Sequence, residues 1–401
     1  MTSISHPRSI SLVHHWMEFF RGGEAVLEQF SALFPDAPIS IMVYNRGNLS
    51  PGLSGRSFRS SFLQHLPGLR LHFRKLLPVF PEIVASMRVG RHARFVLSSD
   101  AGMIKGITIP ETAVHVCYCH SPPRYIWGLE DAYFQSPSLI GRLGRNLFSI
   151  ILPRLRTFDR AKAQEVDRFI ANSRCVQQRI REYYKRESTV IYPPVNIDSF
   201  DPTRPREDFL LVVSALVPYK RVDLAVQACK QLGRRLVVIG AGPELAKLER
   251  AASPHVTFLG WQSNAVVKDH LERCTALLFP GIEDFGITPC EAQAAGAPVI
   301  AFGAGGALET VCDGVTGLFF EAQTVRSLVE TLRRFDALPR FSSERCRQNV
   351  EHLGPARFRQ NMREFLQREF PEMFSERAWP AEVDSAAAPA PAPDLVTHAF
   401  P

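Results

Sequence analysis

Short apolar runs alternate with longer amphipathic stretches along the second half of the chain. Each apolar run has the length of a buried strand, and the stretch after it carries apolar positions at the spacing of one helix face. This alternation is typical of a parallel sheet with helices on both faces. The predicted strands are 209–216, 235–240, 256–260, 276–280 and 298–302, and the predicted helices are 221–232, 243–252, 264–274, 289–295 and 324–335.

The first half of the chain has a less regular pattern but contains the same kind of apolar run. Four further strands are predicted, at 10–14, 39–44, 95–98 and 112–118. The α/β class, with two Rossmann-like domains that each contain a doubly wound parallel sheet, accounts for both halves. Pro193 and Pro194 mark the junction, because proline fixes its own φ and restricts the residue before it.

The length and composition fit two globular domains. The chain has 401 residues, of which 45% are hydrophobic and 22% are charged, so each half is large enough to bury its own core. We predict a first domain over residues 1–192 and a second over 193–354. Alanine and proline dominate the end of the chain, so residues 376–401 are predicted to form a disordered tail.

Neither a membrane span nor a metal site is predicted. No apolar segment reaches the roughly 18 residues that a membrane helix needs. The first residues lack a basic stretch followed by an apolar one, so no signal peptide is predicted and a cytoplasmic location is expected. The eight cysteines are expected to be reduced and buried. Only Cys117 and Cys119 are close in sequence, and a zinc site would need a second such pair.

The positive charge of the chain is concentrated in one segment. The net charge is +7, and residues 142–186 contain twelve Lys or Arg against four acids. Apolar positions at helical spacing run through the start of segment 139–186, interrupted by Pro153. The segment fits a basic amphipathic helix on an anionic membrane surface, or a helix that packs on the core and exposes a basic face. No RNA-binding signature or zinc-finger spacing accompanies the charge, so nucleic acid is not predicted as a partner.

Two carboxylates flank a predicted helix start in the run 280–291. Ligands of open α/β sheets bind outside the carboxyl ends of the strands, which is where Glu283 and Lys220 follow predicted strands. The N–H groups of residues 285–290, with the helix dipole, form a potential anion site. Alternatively, Thr288 and Glu291 form a capping box that only satisfies backbone N–H groups.

Four segments, in this order, resemble the retaining GT-B nucleotide-sugar glycosyltransferases of family 4. They are Arg21-Gly22-Gly23-Glu24, the stretch 119–127 with its His-Ser-Pro-Pro-Arg-Tyr-Ile-Trp sequence, Val-Pro-Tyr-Lys-Arg-Val-Asp at 217–223, and Glu283-x7-Glu291. The second and third segments are most similar to the O-antigen mannosyltransferase subgroup. The resemblance implies a GT-B fold, in which two Rossmann-like domains face each other across a cleft. It also implies a C-terminal crossover helix that returns to the first domain, for which residues 355–375 are the candidate.

The resemblance assigns roles to individual residues. Catalytic roles fall to His120, which would contact the transferred sugar, to Lys220, which would bind the diphosphate, and to Glu283, which would hold sugar hydroxyls. Glu291 would hold the ribose hydroxyls. The other expected donor-binding residues are Gly22, Gly23, Arg221, Asp284, Phe285, Gly286, Ile287 and Thr288. Possible acceptor or sugar contacts are Arg124, Tyr125 and Trp127, and Trp261 could pack beside the base or cap the core.

The resemblance also implies the reaction. A hexosyl unit, with mannose from GDP-mannose as the leading candidate, would pass with retention to a saccharide or lipid-linked acceptor in cell-surface polysaccharide or O-antigen synthesis. The chain would work in the cytoplasm, at the inner face of the plasma membrane. No cofactor is expected, and no metal ion is required where Lys220 and backbone amides offset the phosphate charge.

Two alternatives remain open at this point. One is a nucleotide-sugar 2-epimerase on the same fold. The other is a sugar-nucleotide-binding protein without catalysis, which Ala215 suggests because many members of the resembled family have an arginine there. Without that arginine, a bidentate clamp on the phosphate is lost. Arg221 and Arg124 are the candidate substitutes.

Overall fold

The computed structural model describes residues 10–18, 20, 22–66, 68, 73–128 and 139–375, without the side chains of 74, 75 and 139–147. These residues form two compact units. The first unit contains the described residues up to Pro194 and from Ala356 onward, and the second contains Val195–Pro355. Arg21 and the predicted tail 376–401 lie outside the described residues.

The first unit is built on a seven-stranded parallel sheet with the strand order β3-β2-β1-β4-β5-β6-β7. Every residue of β1 and β4 is buried, because both faces of the central strands are covered. The strands are β1 (Ile10–His14), β2 (Ile39–Ile41), β3 (Phe58–Ser60), β4 (Phe95–Asp100), β5 (Val114–Cys119), β6 (Arg168–Ala171) and β7 (Ser188–Val190).

Helices and short 3-10 turns connect these strands. The α-helices are α1 (Gly22–Leu33), α2 (Pro51–Ser54), α3 (Phe80–Ser86), α4 (Leu139–Gln164) and α5 (Arg174–Tyr184). The 3-10 helices are Arg46–Asn48, Phe62–His65, Phe73–Val79 and Ile104–Gly106.

The second unit contains a six-stranded parallel sheet with the order β10-β9-β8-β11-β12-β13. Its strands are β8 (Leu210–Val213), β9 (Leu236–Ile239), β10 (Val256–Gly260), β11 (Ala276–Phe279), β12 (Val299–Phe302) and β13 (Gly317–Phe320). Its helices are α6 (Val222–Leu232), α7 (Leu245–Ala251), α8 (Asn264–Arg273), α9 (Ile287–Ala294), α10 (Ala307–Thr310), α11 (Val325–Ala337) and α12 (Ser343–Val350), with 3-10 helices at Ile197–Ser199, Pro218–Lys220 and Glu351–Leu353.

The predicted α/β class with two Rossmann-like parallel sheets is confirmed. In each sheet the strand order reverses once, between β1 and β4 and between β8 and β11. Ligands of doubly wound sheets bind at such switch points, outside the carboxyl ends of the strands. Each unit therefore has one edge at which a site is expected.

The last helix, α13 (Pro355–Glu369), follows the second unit in sequence but packs in the core of the first. Phe358, Met362 and Phe365 on one face of α13 are buried against the sheet of the first unit. The ring of Phe358 lies 5.9 Å from that of Phe30 on α1, between ring centroids.

Helix α4 is continuous through Pro153, so the predicted interruption is wrong. Phe148 and Leu155, on either side of Pro153, are buried in the core of the first unit, and this packing holds the helix together. The described basic side chains of α4 are bonded to protein: Arg154 pairs with Glu82, and Arg156 donates to the carbonyl of Ile126 at 2.7 Å. The described part of α4 is therefore a core-packed helix with a basic face.

Two further observations concern expectations from the composition. Among the described residues, no helix is both long and apolar enough to cross a membrane. All eight cysteines are free thiols, as predicted, and six of them are buried. Cys312 is exposed and Cys175 is partly exposed, so the prediction of burial is wrong for these two.

Candidate active site

The switch point of the second unit brings Lys220 and Glu283 together. Lys220 lies in the loop after β8, Glu283 lies in the loop after β11, and β8 and β11 are neighbours in the sheet. The Lys220 Nζ atom forms an ion pair with the Glu283 carboxylate. Both side chains keep about a fifth of their surface exposed, 19% and 18%. An ammonium and a carboxylate therefore stand at the mouth of the switch point, accessible to a ligand.

Gly281 allows the loops after β8 and β11 to approach each other. A Cβ atom at residue 281 would lie 2.9 Å from the Lys220 Cα atom and 3.0 Å from its carbonyl oxygen. Backbone atoms cannot move aside as a flexible side chain could, so the contact requires glycine. On the other side of the loop, the Gly306 N–H donates to the Glu283 carbonyl at 2.8 Å. The loop that carries Glu283 is thus held by backbone contacts with the loops after β8 and β12, the strands on either side of β11.

Helix α9 begins at Ile287, two residues before the predicted start at Pro289. Its N-cap is Gly286, which has a left-handed φ of 92°, and no side chain caps the helix. The capping box of Thr288 and Glu291 is therefore wrong, because Thr288 lies inside the helix. The first-turn N–H groups of α9 point out of its N-terminus and can meet an anion.

Glu291 carries the carboxyl group that the capping box would have used. Among the described residues, none forms a hydrogen bond or ion pair with this carboxylate. The side chain is half-buried, and burial raises the pKa of Glu291 to about 7. A hydroxyl-bearing ligand would supply the hydrogen bonds that the folded chain leaves unmade.

Other predicted donor contacts are placed less directly. The Arg221 guanidinium forms two hydrogen bonds to the Asp223 carboxylate, at 3.1 and 3.2 Å, which hold it at the start of α6. The Arg221 guanidinium is therefore already bound to a carboxylate. It is not a direct replacement for the arginine that many members of the resembled family have at the position of Ala215. Phe285 is buried, whereas Trp261 is 46% exposed after β10, so the alternative in which Trp261 caps the core is wrong.

The switch point of the first unit contains three histidines around the start of α1. His14 ends β1, His15 follows it, and His120 follows β5. A Cβ atom at Gly23, the second residue of α1, would lie 3.5 Å from His15, 3.6 Å from His14 and 3.7 Å from His120. Gly22 and Gly23 therefore open a helix against this histidine cluster.

Ser99, in β4, connects the three histidines. Its hydroxyl lies 3.0 Å from His14 Nδ1 and 2.7 Å from His120 Nε2. Its backbone carbonyl accepts a hydrogen bond from His15 Nδ1 at 3.2 Å. On the far side of His14, the Nε2 atom lies 3.9 Å from the Glu24 carboxylate.

The imidazoles of this cluster are neutral near pH 7. Burial lowers the pKa of His14 to about 3 and that of His15 to about 4. Burial, reinforced by His15 and His14, also lowers the pKa of His120 well below its usual value. Each neutral ring carries one proton, and the surrounding hydrogen bonds determine which of its two nitrogens holds that proton.

A buried ionic network lies beside the cluster and includes Trp127. Lys105 pairs with Asp100 at 3.2 Å and also with Asp159. Burial alone would lower the pKa of Lys105, but Asp159 and Asp100 raise it above its usual value. The Asp159 carboxylate also accepts hydrogen bonds from the Trp127 indole at 2.8 Å and the Tyr184 hydroxyl at 2.7 Å. Trp127 is thus anchored in the core.

The comparisons with known proteins agree with the geometry of the second unit. The model of the family "Glycosyl transferases group 1" matches residues 196–352. We refer to residues 196–352, the part of the chain that is similar to this family, as the group 1 domain. An uncharacterized glycosyltransferase of Methanocaldococcus jannaschii is 31% identical over 182 residues, which cover 44% of this chain and 52% of that protein.

A second relative has a more specific name. The GDP-mannose-dependent alpha-(1-6)-phosphatidylinositol monomannoside mannosyltransferase of Mycolicibacterium smegmatis is 29% identical over 222 residues, covering 47% of this chain and 58% of that protein. This chain spans about half the length of the curated relatives that it matches.

Solved structures extend the likeness to most of the chain. Anabaena HepE, solved in complex with UDP, has a TM-score of 0.64 and 15% identity, covering 89% of this chain and all of HepE. At this identity the comparison supports the fold of both units and nothing finer.

Within the group 1 domain, the structure brings together Lys220, Glu283 and the start of α9, with Asp284, Phe285, Gly286, Ile287 and Thr288 in one continuous loop and first turn. In the first unit, His120 lies beside Gly23. Tyr125 and Trp127 are 8% and 6% exposed, and Arg124 is half-buried, so their predicted contacts with an acceptor stay predictions.

Sequence reasoning missed His14, His15 and Ser99. The signal that could have found them was the order of the strands: once β1, β4 and β5 are recognised as neighbours, their carboxyl ends place these residues next to His120. It also missed Gly281, whose importance depends on the backbone of a loop 61 positions earlier in the chain.

Proposed function

We propose that the chain is a retaining glycosyltransferase, which moves a hexosyl unit from a nucleotide diphosphate sugar to an acceptor hydroxyl. The observation that carries the proposal is the switch point of the group 1 domain. There Lys220 and Glu283 form an accessible ion pair beside the N-terminus of α9, and the Glu291 carboxyl group has no partner in the part of the chain that the structure describes.

Each of these groups has a task that its chemistry suits. The Lys220 ammonium and the α9 amides bind the diphosphate, and they stabilise it more strongly as it gains charge on leaving the sugar. When Lys220 pairs with the diphosphate instead of with Glu283, the Glu283 carboxylate can accept hydrogen bonds from sugar hydroxyls. Glu291 accepts hydrogen bonds from the ribose hydroxyls.

The proposed reaction breaks the bond between the anomeric carbon and the diphosphate oxygen, and it forms a bond from that carbon to the acceptor oxygen on the same face. The acceptor proton passes to a phosphate oxygen of the leaving group. Arg221 is the further donor-side residue, oriented by Asp223. In the first unit, we propose His120 as a contact of the transferred sugar, Gly22 and Gly23 as phosphate contacts, and Arg124, Tyr125 and Trp127 as acceptor contacts. In the second unit, we propose that Trp261 packs beside the base. No cofactor or metal ion takes part.

Mannose from GDP-mannose is the donor that we propose. Its support is the name of the mycolicibacterial relative, a GDP-mannose-dependent mannosyltransferase, together with the motif resemblance. HepE was solved with UDP, so uridine nucleotides are the matched competitors to test.

A thermal-shift titration tests the donor, because a ligand that binds only the folded state raises its apparent stability. The protein is titrated with GDP-mannose, GDP, UDP, UDP-glucose and UDP-N-acetylglucosamine. We expect the two guanosine ligands to raise the melting temperature selectively. Selective stabilisation by the uridine ligands would keep the site but overturn GDP-mannose. A folded protein that responds to none of them would overturn the donor site.

Ala215 favours a second candidate function, a sugar-nucleotide-binding protein without catalysis. Turnover separates the two functions. Transfer to an acceptor supports the glycosyltransferase, and donor binding without product, with acceptors supplied, supports the binding protein. Conversion of the donor sugar in the absence of any acceptor would instead indicate the 2-epimerase.

We further propose a lipid-linked saccharide acceptor, used at the inner face of the plasma membrane in cell-surface polysaccharide or O-antigen synthesis. The basic face of α4 and the 75% exposed Ile150 on the same helix support contact with anionic lipid. Sedimentation with anionic and with neutral vesicles tests the proposed contact with anionic lipid. We expect binding to the anionic vesicles alone, weakened by added salt. Equal binding to both kinds of vesicle, or binding to neither, would overturn the proposed contact with anionic lipid.

A further inference from the structure

Two imidazoles, those of His14 and His120, share contact with the Ser99 hydroxyl. It lies within hydrogen-bond distance of His14 Nδ1 and His120 Nε2, and Ser99 and His14 are fully buried. A serine hydroxyl has one proton to donate. The Ser99 oxygen could accept hydrogen bonds from both rings, but the Ser99 proton would then have no acceptor among the described residues, which is costly in a buried site. Ser99 therefore donates to one histidine and accepts from the other, so the tautomers of the two rings are coupled.

Glu24 distinguishes the two possible arrangements. In the first, Ser99 donates to His14 Nδ1, so His14 carries its proton on Nε2, which faces the Glu24 carboxylate at 3.9 Å. In the second, the lone pair of His14 Nε2 faces that carboxylate, which is electrostatically unfavourable. The first arrangement is therefore preferred, and in it His120 donates its Nε2 proton to Ser99.

The remaining nitrogen of His120 is then defined. Among the described residues, none forms a hydrogen bond with His120 Nδ1, and the His120 ring is half-buried. With the proton on Nε2, the Nδ1 atom carries a lone pair and can only accept.

We propose that Ser99 is a positioning residue that fixes His120 as the Nε2–H tautomer, so that its Nδ1 atom accepts a hydrogen bond from a substrate hydroxyl. The role of His120 toward substrate rests on the proposed glycosyltransferase function. The link from Glu24 through His14 and Ser99 to His120 does not, because it is a property of the free protein. The lowered pKa values of the three histidines keep the cluster neutral, so the tautomers persist across neutral pH.

The neighbouring residue Ser98 provides a matched control. It is also fully buried in β4, and its hydroxyl lies 2.8 Å from the Nε2 atom of His115. Successive residues of a strand point to opposite faces, so Ser98 makes the same kind of contact away from the cluster. Ser99→Ala and Ser98→Ala each remove one buried serine–histidine hydrogen bond, and only the first touches His120.

The test is long-range ¹H–¹⁵N NMR of the full chain with ¹⁵N-labelled histidine, which reports which ring nitrogen carries the proton. We expect His120 to be protonated on Nε2 in the unaltered protein and to lose that preference in Ser99→Ala. We expect Ser98→Ala to leave the His120 signals unchanged. A His120 proton on Nδ1 in the unaltered protein, or an unchanged tautomer in Ser99→Ala, overturns the proposal.

Kinetics supply a second readout that a merely structural role would not produce. We expect Ser99→Ala to lower kcat/KM about tenfold, the scale of one hydrogen bond, and Ser99→Thr, which keeps the hydroxyl, to recover most of it. Equal losses in Ser99→Ala and Ser98→Ala would assign the loss to stability and overturn the positioning role. If NMR shows the coupled tautomers but no donor is turned over, the proposed function fails and the tautomer link stands.

Discussion

Burial leaves the Glu291 carboxyl group with a pKa near neutrality, in a position where it has no protein partner among the described residues. Hydrogen bonds from ligand hydroxyls favour the charged form, so they lower this pKa when the ligand binds. Binding is therefore linked to loss of a proton from Glu291. Burial makes Glu291 costly to ionise in the free protein, and the ligand is expected to stabilise its charged form.

We expect the affinity for the nucleotide sugar to increase with pH up to about 7 and to level off above it. Below 7, the protonated fraction of Glu291 grows, and affinity falls by up to about tenfold per pH unit. Isothermal titration calorimetry at pH 6, 7 and 8 measures it. A nucleotide sugar is the right probe, because its phosphates lack the ionisation near pH 6 of a terminal phosphate.

Glu291→Gln is the matched variant for this titration. It keeps the shape of the side chain but has no proton to lose, so we expect weaker binding that no longer changes with pH. An affinity that falls as pH rises would mean that Glu291 binds ligand as the neutral acid, contrary to the proposed role.

Lys220 is predicted to act on the transition state more than on binding. The diphosphate gains charge as it leaves, so we expect Lys220→Ala to lower kcat by about 100-fold or more, with a smaller change in KM. Steady-state kinetics with the identified donor measure it. Lys247→Ala is the control, since Lys247 is an exposed lysine paired with Glu244, three residues away. A higher KM at unchanged kcat would assign Lys220 to ground-state binding instead.

At the scale of elements, the loop between β11 and α9 shows what a sequence can and cannot specify. The apolar run 276–280 and the helical stretch after it predicted the strand, the turn and the position of Glu283. The start of α9 was misplaced because Thr288 and Pro289 have the preferences of a helix start, whereas Gly286 provides the cap through its backbone conformation. Local preferences did not reveal that the neighbouring loops hold this one by its backbone.

We expect Gly281→Ala to disturb the site as well as the stability of the second unit. The added methyl group would press on the Lys220 backbone, so the two loops must separate and the Lys220–Glu283 pair must shift. Overpacking of this kind costs about 1–3 kcal/mol, seen as a lower free energy of unfolding in urea. Donor affinity and kcat should fall together.

Gly354→Ala is the control for Gly281→Ala. A Cβ atom at Gly354 would approach nothing closer than the Glu351 carbonyl, at 3.7 Å, so little change is expected. Unchanged donor affinity and kcat in Gly281→Ala would show that the close approach of the two loops does not position Lys220.

At the scale of the whole molecule, the second unit could be predicted more completely than the first. In the second unit, helix and strand alternate regularly, and five of six strands are evident as apolar runs. In the first unit, β3 and β7 are three-residue edge strands with polar residues, so they lack the apolar run that marks a buried strand. The buried charges Lys105, Asp100 and Asp159 were also unpredictable, because each is acceptable in a core only beside the others.

Helix α13 shows that parts of the chain far apart in sequence depend on each other. It follows the second unit in sequence, yet its residues complete the core of the first unit. Phe358 is 2% exposed and contacts Phe30 and Tyr118 through its ring. We expect Phe358→Ala to destabilise the first unit by about 3–5 kcal/mol, because it leaves a cavity against a sheet that cannot collapse to fill it. Arg357→Ala, on the exposed side of the same helix, should have little effect.

Hydrogen–deuterium exchange locates the loss of stability. In Phe358→Ala, we expect faster exchange in β1, β4 and β5, whose residues pack with α13, and unchanged exchange in β8–β13. Faster exchange in both sheets would mean that the two units unfold as one, and faster exchange in the second alone would contradict the placement of α13. Faster exchange confined to the strands of the first sheet would show that α13 is part of the first domain, although it follows the second unit in sequence.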